Sequence, residues 1–231
     1  MSKLHSFDDG AALADALADR VTDTLRDAIS NRGAATIAVS GGSTPGRFFD
    51  ALSTRDIAWE HVVVTLVDER FVPQDSPRSN HALVAERLLK NNAAAARFMP
   101  LYQPAETAEA AAELSSAAAN GLSRPFDAVI LGMGGDGHTA SFFPGGNHLA
   151  EALDANQKRP VVTMEAEGAG EPRLTFSFAR LHDARLLAVH IEGQSKMDVL
   201  KKAEAGSDET EMPIRAILKR AATEPDIYWA P

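Results

Sequence analysis

Chemistry is most concentrated in one glycine-rich run, Gly132-Met133-Gly134-Gly135-Asp136-Gly137-His138-Thr139-Ala140-Ser141. A histidine in such a turn can reach a bound carbonyl, and an imidazole with its ordinary pKa near roughly 6.5 is largely a free base at neutral pH. The neighbouring backbone N–H groups could stabilise a developing oxyanion. The competing reading is a polar surface histidine, the role expected of His5 and His182. Gly132, Gly134 and Gly137 also match the dinucleotide fingerprint Gly-x-Gly-x-x-Gly. Pro144 and Gly145-Gly146 leave little room for the long helix that fingerprint needs, so nicotinamide or flavin binding is a weak reading. None of the 7 histidines is paired at ligand spacing, and no metal site is expected.

A second cluster is Ser40-Gly41-Gly42-Ser43-Thr44-Pro45-Gly46, between a strand and a helix start. Its glycines, free N–H groups and the hydroxyls of Ser43 and Thr44 suit an anion at a helix N-terminus. Arg47 and Phe48 stand where a Walker motif has its lysine and magnesium-binding hydroxyl, so nucleotide hydrolysis is disfavoured. Pro45 also rules out a Gly-x-Ser-x-Gly elbow. The plain alternative is a capped helix start. A third cluster opens with Asp68-Glu69-Arg70. Such triplets are usually surface ion pairs, yet at a strand's carboxyl end Arg70 offers a forked donor for phosphate and Asp68 could orient a sugar hydroxyl. Ser79-Asn80 downstream reads first as a helix cap, with Asn80 as a ligand contact the second reading. Lys196, after a strand and near a helix start, is a further anion candidate, against a solvated helix lysine. Arg173 reads as a rim contact or an ordinary edge charge.

These groups must be held by a scaffold of 231 residues, 45% hydrophobic, with formal charge 23 − 32 = −9. That balance disfavours a general grip on nucleic acid while allowing one local cationic pocket. The chain has 0 cysteines, which excludes disulfides, thiolate nucleophiles and Cys-ligated metal. No apolar run approaches a roughly 18-residue span, and Met1 to Asp9 carries two acids and no apolar stretch, so neither membrane anchoring nor a signal peptide is predicted. Leu13, Leu17, Val21 and Leu25 at helical spacing predict a helix over 8–31, with Ser6-x-x-Asp9 as its capping signal and Gly33 as its stop. Strands are predicted at 36–39, 62–67, 98–101, 126–131, 161–164, 174–178 and 186–191. Helices are predicted from Pro45 to about Leu52 and over 80–90, 105–119, 194–203 and 214–222, with 68–79 a loop. Gly168-Ala169-Gly170 and Ala205-Gly206-Ser207-Asp208 read as mobile surface turns. Short apolar strands alternating with helices predict one α/β domain over residues 1–231, Rossmann-like, its mostly parallel sheet covered by helices on both faces. In such sheets ligands sit beyond the carboxyl ends of the strands. The loops 40–44, 68–80 and 132–144 all leave such ends.

Taken in order, Val39-Ser-Gly-Gly-Ser-Thr-Pro45, Val67-Asp-Glu-Arg-Phe-Val-Pro73, Ser79-Asn80, Leu131 to Pro144, Pro172-Arg-Leu-Thr175, Gly193-x-x-Lys196 and Met212-Pro-Ile-Arg215 resemble the 6-phosphogluconolactonases. These share a superfamily with the glucosamine-6-phosphate deaminases. The resemblance spans nearly the whole chain. It implies hydrolysis of 6-phospho-D-glucono-1,5-lactone to 6-phosphogluconate in the pentose phosphate pathway, with no metal or organic cofactor. It implies His138 as general base and Asp136 as the group that orients it. Gly42, Ser43, Thr44, Arg70 and Lys196 would hold phosphate and nearby oxygens, with Asp68, Asn80, Gly134 and Arg173 as further substrate contacts. The deaminases carry Phe-Asn-Glu-Pro after the histidine turn and a tyrosine after Asp-Glu. Here Ser141-Phe142-Phe143-Pro144 and Arg70 stand in those places, which favours the lactonase over the isomerising branch. A sugar-phosphate sensor without turnover is the remaining alternative, and an intact His138 argues against it. The expected setting is a cytoplasmic monomer, or at most a weak dimer.

Overall fold

The computed structural model describes residues 2–231; Met1, part of the segment read as lacking a leader, lies outside the described residues. The strands are β1 (Lys3–Ser6), β2 (Ala35–Val39), β3 (Val62–Leu66), β4 (Asp68–Arg70), β5 (Arg97–Met99), β6 (Ala128–Leu131), β7 (Val161–Met164), β8 (Arg173–Phe176), β9 (Leu186–Glu192) and β10 (Asp226–Ala230). The α-helices are α1 (Gly10–Arg32), α2 (Gly46–Ser53), α3 (Asn80–Arg87), α4 (Ala108–Ala119), α5 (Leu149–Ala152), α6 (Phe178–Leu181), α7 (Gln194–Ala205) and α8 (Ile214–Arg220).

Seven strands form one sheet in the order β1-β10-β9-β6-β2-β3-β5, and every pairing in it is parallel. The chain runs from β2 to its neighbour β3 on one side, and from β6 to β9 on the other. The β2–β6 boundary is therefore where the winding direction reverses, the place where open α/β sheets leave a crevice. Right-handed crossovers put α1 to α3 on one face and α4, α7 and α8 on the other. The predicted stripe of α1 packs inward, with Leu13, Leu17, Val21 and Leu25 all 0% exposed. The central strands β2 and β6 are buried throughout, as uniformly apolar parallel strands should be.

Several expectations need correction. Asp9 itself, not Ser6, caps α1: its carboxylate accepts from the backbone N of Ala11 and Ala12 at 2.9 and 2.8 Å. The predicted loop at 68–79 begins as strand β4. It joins β8 and β7 in a separate antiparallel sheet, so those two strands are not part of the parallel one. The edge strand β1 and the neighbouring β10 were not anticipated, nor were the one-turn helices α5 and α6. Gly168-Ala169-Gly170 is not a free surface turn, because Ala169 is buried and Gly168 lines the central cleft.

Candidate active site

A cleft of about 320 Å³ opens at the β2–β6 boundary. Gly42, Ser43 and Thr44 reach it from the turn after β2, and Gly134 and His138 from the turn after β6. Asp68, Arg70, Asn80, Arg173 and Lys196 also line it, with Ser40, Thr139 and His190. Of the residues assigned to catalysis or substrate binding from the sequence, Asp136 alone is not part of the lining.

Asp136 instead holds His138. Its Oδ1 accepts from the His138 backbone N at 3.0 Å and lies 2.6 Å from the imidazole Nδ1. The hydrogen bond from His138 lowers the Asp136 pKa to about 2. An ionised carboxylate can only accept, so Nδ1 carries the hydrogen and a neutral imidazole keeps its free lone pair on Nε2. The pair lies directly against the backbone of Gly134. A Cβ on Gly134 would lie 2.1 Å from His138 Nδ1 and 2.6 Å from Asp136 Oδ1, so this glycine exists to let the pair form.

The cleft that His138 lines is also cationic. Arg70 on β4 and Arg173 on β8 are directly paired across the antiparallel ladder, and like charges in that position repel. Glu171 approaches Arg70 Nε only to 3.7 Å. Arg173 donates through Nη2 to the carbonyl of Ala169, and its buried Nε has no partner among the described residues. Burial pushes the Arg173 pKa below its usual range, with Asp68 pulling the other way. Lys196 reaches in from α7, its Nζ 2.7 Å from the Met133 carbonyl oxygen. Facing guanidiniums plus an ammonium form a floor suited to a phosphate dianion.

The residues that hold these cations were largely invisible in the sequence. Glu69 is 0% exposed. Its Oε1 accepts from the backbone N of Arg70 at 2.8 Å and of Asn80 at 2.7 Å, and its Oε2 from His81 N at 2.8 Å and Ser79 Oγ at 2.9 Å. Burial pushes the Glu69 pKa up while these donors oppose it. The carboxylate thereby ties β4 to the start of α3. Asn80 is then fixed between Arg70 Nη1, which donates to its Oδ1 at 2.9 Å, and the Asp68 carbonyl, which accepts from its Nδ2 at 2.9 Å. Gly41 is required beside it, since a Cβ there would fall 2.0 Å from Asn80 Oδ1. Ser79 caps α3 as expected, but Asn80 is a cleft residue as well as a helix start. Ser141 donates to Asp68 Oδ2 at 2.6 Å. Phe143, buried, touches both ends of the site: its ring is 4.4 Å from the His138 ring and 5.5 Å from the Arg173 guanidinium carbon.

Among the described residues, no group of three or more His, Asp or Glu side chains is placed to hold a metal ion. Likewise, no helix among them is long and apolar enough to cross a membrane.

The model of the family described as glucosamine-6-phosphate isomerases/6-phosphogluconolactonase matches residues 8–229. A 6-phosphogluconolactonase of Rhizobium meliloti is 61% identical over 230 residues, covering 100% of this chain and 99% of that protein. One of Mesorhizobium japonicum is 52% identical over 227 residues, covering 98% and 94%. The crystal structure of a 6-phosphogluconolactonase from Shewanella baltica superposes with a TM-score of 0.97 at 38% identity, covering 100% of this chain and 98% of that one.

Proposed function

We propose, for a chain that belongs to the glucosamine-6-phosphate isomerase/6-phosphogluconolactonase family, that the cleft at the β2–β6 boundary performs its lactone hydrolysis with His138 as general base. The activity is hydrolysis of 6-phospho-D-glucono-1,5-lactone to 6-phosphogluconate, a step of the pentose phosphate pathway. The observation that carries the residue assignment is the Asp136–His138 pair at 2.6 Å, with His138 lining a cleft that Arg70, Arg173 and Lys196 also line.

In this reading the phosphate seats on the cationic wall and on the N–H groups and hydroxyls of Gly42, Ser43 and Thr44. Anchoring it there places the lactone carbonyl beside the imidazole, so that remote binding energy positions the reacting carbon. His138 Nε2 takes a proton from water as the water oxygen attacks the carbonyl, and Asp136 stabilises the imidazolium that forms. The tetrahedral oxyanion is met by N–H groups of the glycine-rich turn. On collapse the ring C–O bond breaks, and the imidazolium returns its proton to the departing ring oxygen. Asp68, held by Ser141, and Asn80, held by Arg70, contact sugar hydroxyls.

The same reading treats residues 1–231 as one catalytic unit acting as a cytoplasmic monomer or weak dimer. The test is the rate of loss of freshly generated 6-phosphogluconolactone in mildly acidic buffer, where the uncatalysed background is slow. A parallel arm uses glucosamine 6-phosphate with ammonia detection. Accelerated lactone loss without ammonia supports the reading; ammonia release without lactone loss overturns it.

A further inference from the structure

At the other end of β6, before its first residue, lies a second recess of about 170 Å³. It is framed by the turn after α4, the segment leading into β7 and the junction of β8 with α6. Three cations line it: Arg124, Lys158 and Arg180. Among the described residues none of the three forms an ion pair with a carboxylate, although Asp183 acts on Arg180 from further away.

Arg180 is 7% exposed. Its guanidinium carbon lies 4.7 Å from the centre of the Phe126 ring. Its Nη2 donates to the carbonyls of Ala119, Leu122 and Ser123 at 3.4, 3.2 and 3.0 Å, closing the end of α4. That role uses one nitrogen. The buried Nε has no partner among the described residues, nor does the Oγ of Ser177, which lines the same recess and is 1% exposed. Arg124 is anchored by an Nη2 bond to the Ala179 carbonyl at 3.0 Å. Burial, with the like charge of Arg124, pulls the Arg180 pKa below its ordinary range, against a smaller opposite pull from Asp183. A buried guanidinium flanked by a second cation is an arrangement that a bound anion would relieve.

We propose that this recess is a second oxyanion site, which takes inorganic phosphate or a phosphate monoester between Arg180, Arg124 and Lys158. Guanidinium groups supply directional donors to phosphate oxygens, the ammonium adds a point charge, and the Ser177 hydroxyl provides a neutral donor. The site is independent of the catalytic cleft, which lies beyond the opposite end of the same strand.

The experiment is a ¹⁵N-resolved NMR titration of the whole chain with inorganic phosphate, then with glycerol 3-phosphate, and with chloride at matched ionic strength. The variant is Arg124→Ala/Lys158→Ala, two exposed positions outside the cleft that spare the structural bonds of Arg180. Saturable shifts at the amides of Lys158 and Ser177, with a midpoint raised at least about tenfold in the double variant, support the site. In the same variant the Ser43 amide should respond as in wild type, and lactone turnover should be unchanged. A tighter midpoint for one of the two phosphates identifies the natural source. The proposal is overturned if chloride reproduces the shifts, if the double variant leaves their midpoint unchanged, or if only the cleft amides respond.

Discussion

Gly134→Ala separates the Asp136–His138 pair from the fold. Gly134 is outside the left-handed region of backbone space, so alanine is sterically permitted as far as the main chain is concerned. Its Cβ would nevertheless lie 2.1 Å from His138 Nδ1, 2.2 Å from His138 Cε1 and 2.6 Å from Asp136 Oδ1. These are side-chain atoms, so the strain resolves by displacing the imidazole and carboxylate rather than by opening the turn. Replacing glycine at a permitted position also removes unfolded-state freedom, worth about 0.4–1 kcal/mol of stability. That gain offsets part of the stability lost with the Asp136–His138 pair, so the variant should melt only modestly below the wild-type temperature. Losing a positioned base costs about 10²-fold or more in turnover, equivalent to about 2.7 kcal/mol of barrier. The assay is initial-rate hydrolysis of fresh 6-phosphogluconolactone, with thermal unfolding and 6-phosphogluconate binding measured on the same preparation. Turnover within a few-fold of wild type would refute the reasoning, because the 2.6 Å pair cannot survive that Cβ. A large loss of melting temperature would refute it differently, by showing that the turn yields before the side chains do.

Three further outcomes are expected. Arg70→Ala should weaken binding of 6-phosphogluconate by about 10- to 100-fold, the worth of a charge-assisted hydrogen bond; titration calorimetry showing unchanged affinity would remove Arg70 from the phosphate site. Glu69→Gln places an NH₂ against at least one backbone N–H, that of His81 if the amide nitrogen takes the Oε2 place, so it should raise KM more than it lowers kcat, and the loss should be smaller in an Arg70→Ala background, as a double-mutant cycle reads it. Full additivity would reduce Glu69 to a purely structural group. The Asp136 pKa falls from 3.8 unfolded to about 2 folded, so the unfolded chain binds more protons in that window. The stability that Asp136 contributes is then present above pH 3.8 and lost as the pH falls through about 2. Asp136→Asn should flatten the acid limb of a stability–pH curve from denaturant melts, and an unchanged limb would contradict the pairing.

The three loops of the site could be read in the sequence because their chemistry needs residues that stand out in a chain. Glycines allow close approach at residues 41 and 134, hydroxyls follow a strand end at Ser43 and Thr44, and a histidine stands alone in a glycine turn. The small antiparallel sheet could not be read so. Asp68-Glu69-Arg70 has the composition of an exposed charged turn, and only its pairing with Arg173–Thr175 makes it a strand. Glu69 was missed for the same reason: acids are almost never fully buried, and its four donors come from a helix start ten to twelve residues away and from its neighbour. The edge strand β1, Lys3–Ser6, is mostly exposed and shows no apolar period. Its place is set by the parallel partner β10.

The most direct test of the central claim compares wild type with His138→Ala, reading lactone hydrolysis and 6-phosphogluconate affinity side by side. Hydrolysis should drop by about 10²-fold or more while affinity stays within a few-fold, because the imidazole moves a proton and the cationic wall holds the phosphate. Undiminished hydrolysis would place the base elsewhere, and an equal loss of affinity would make His138 a binding group instead.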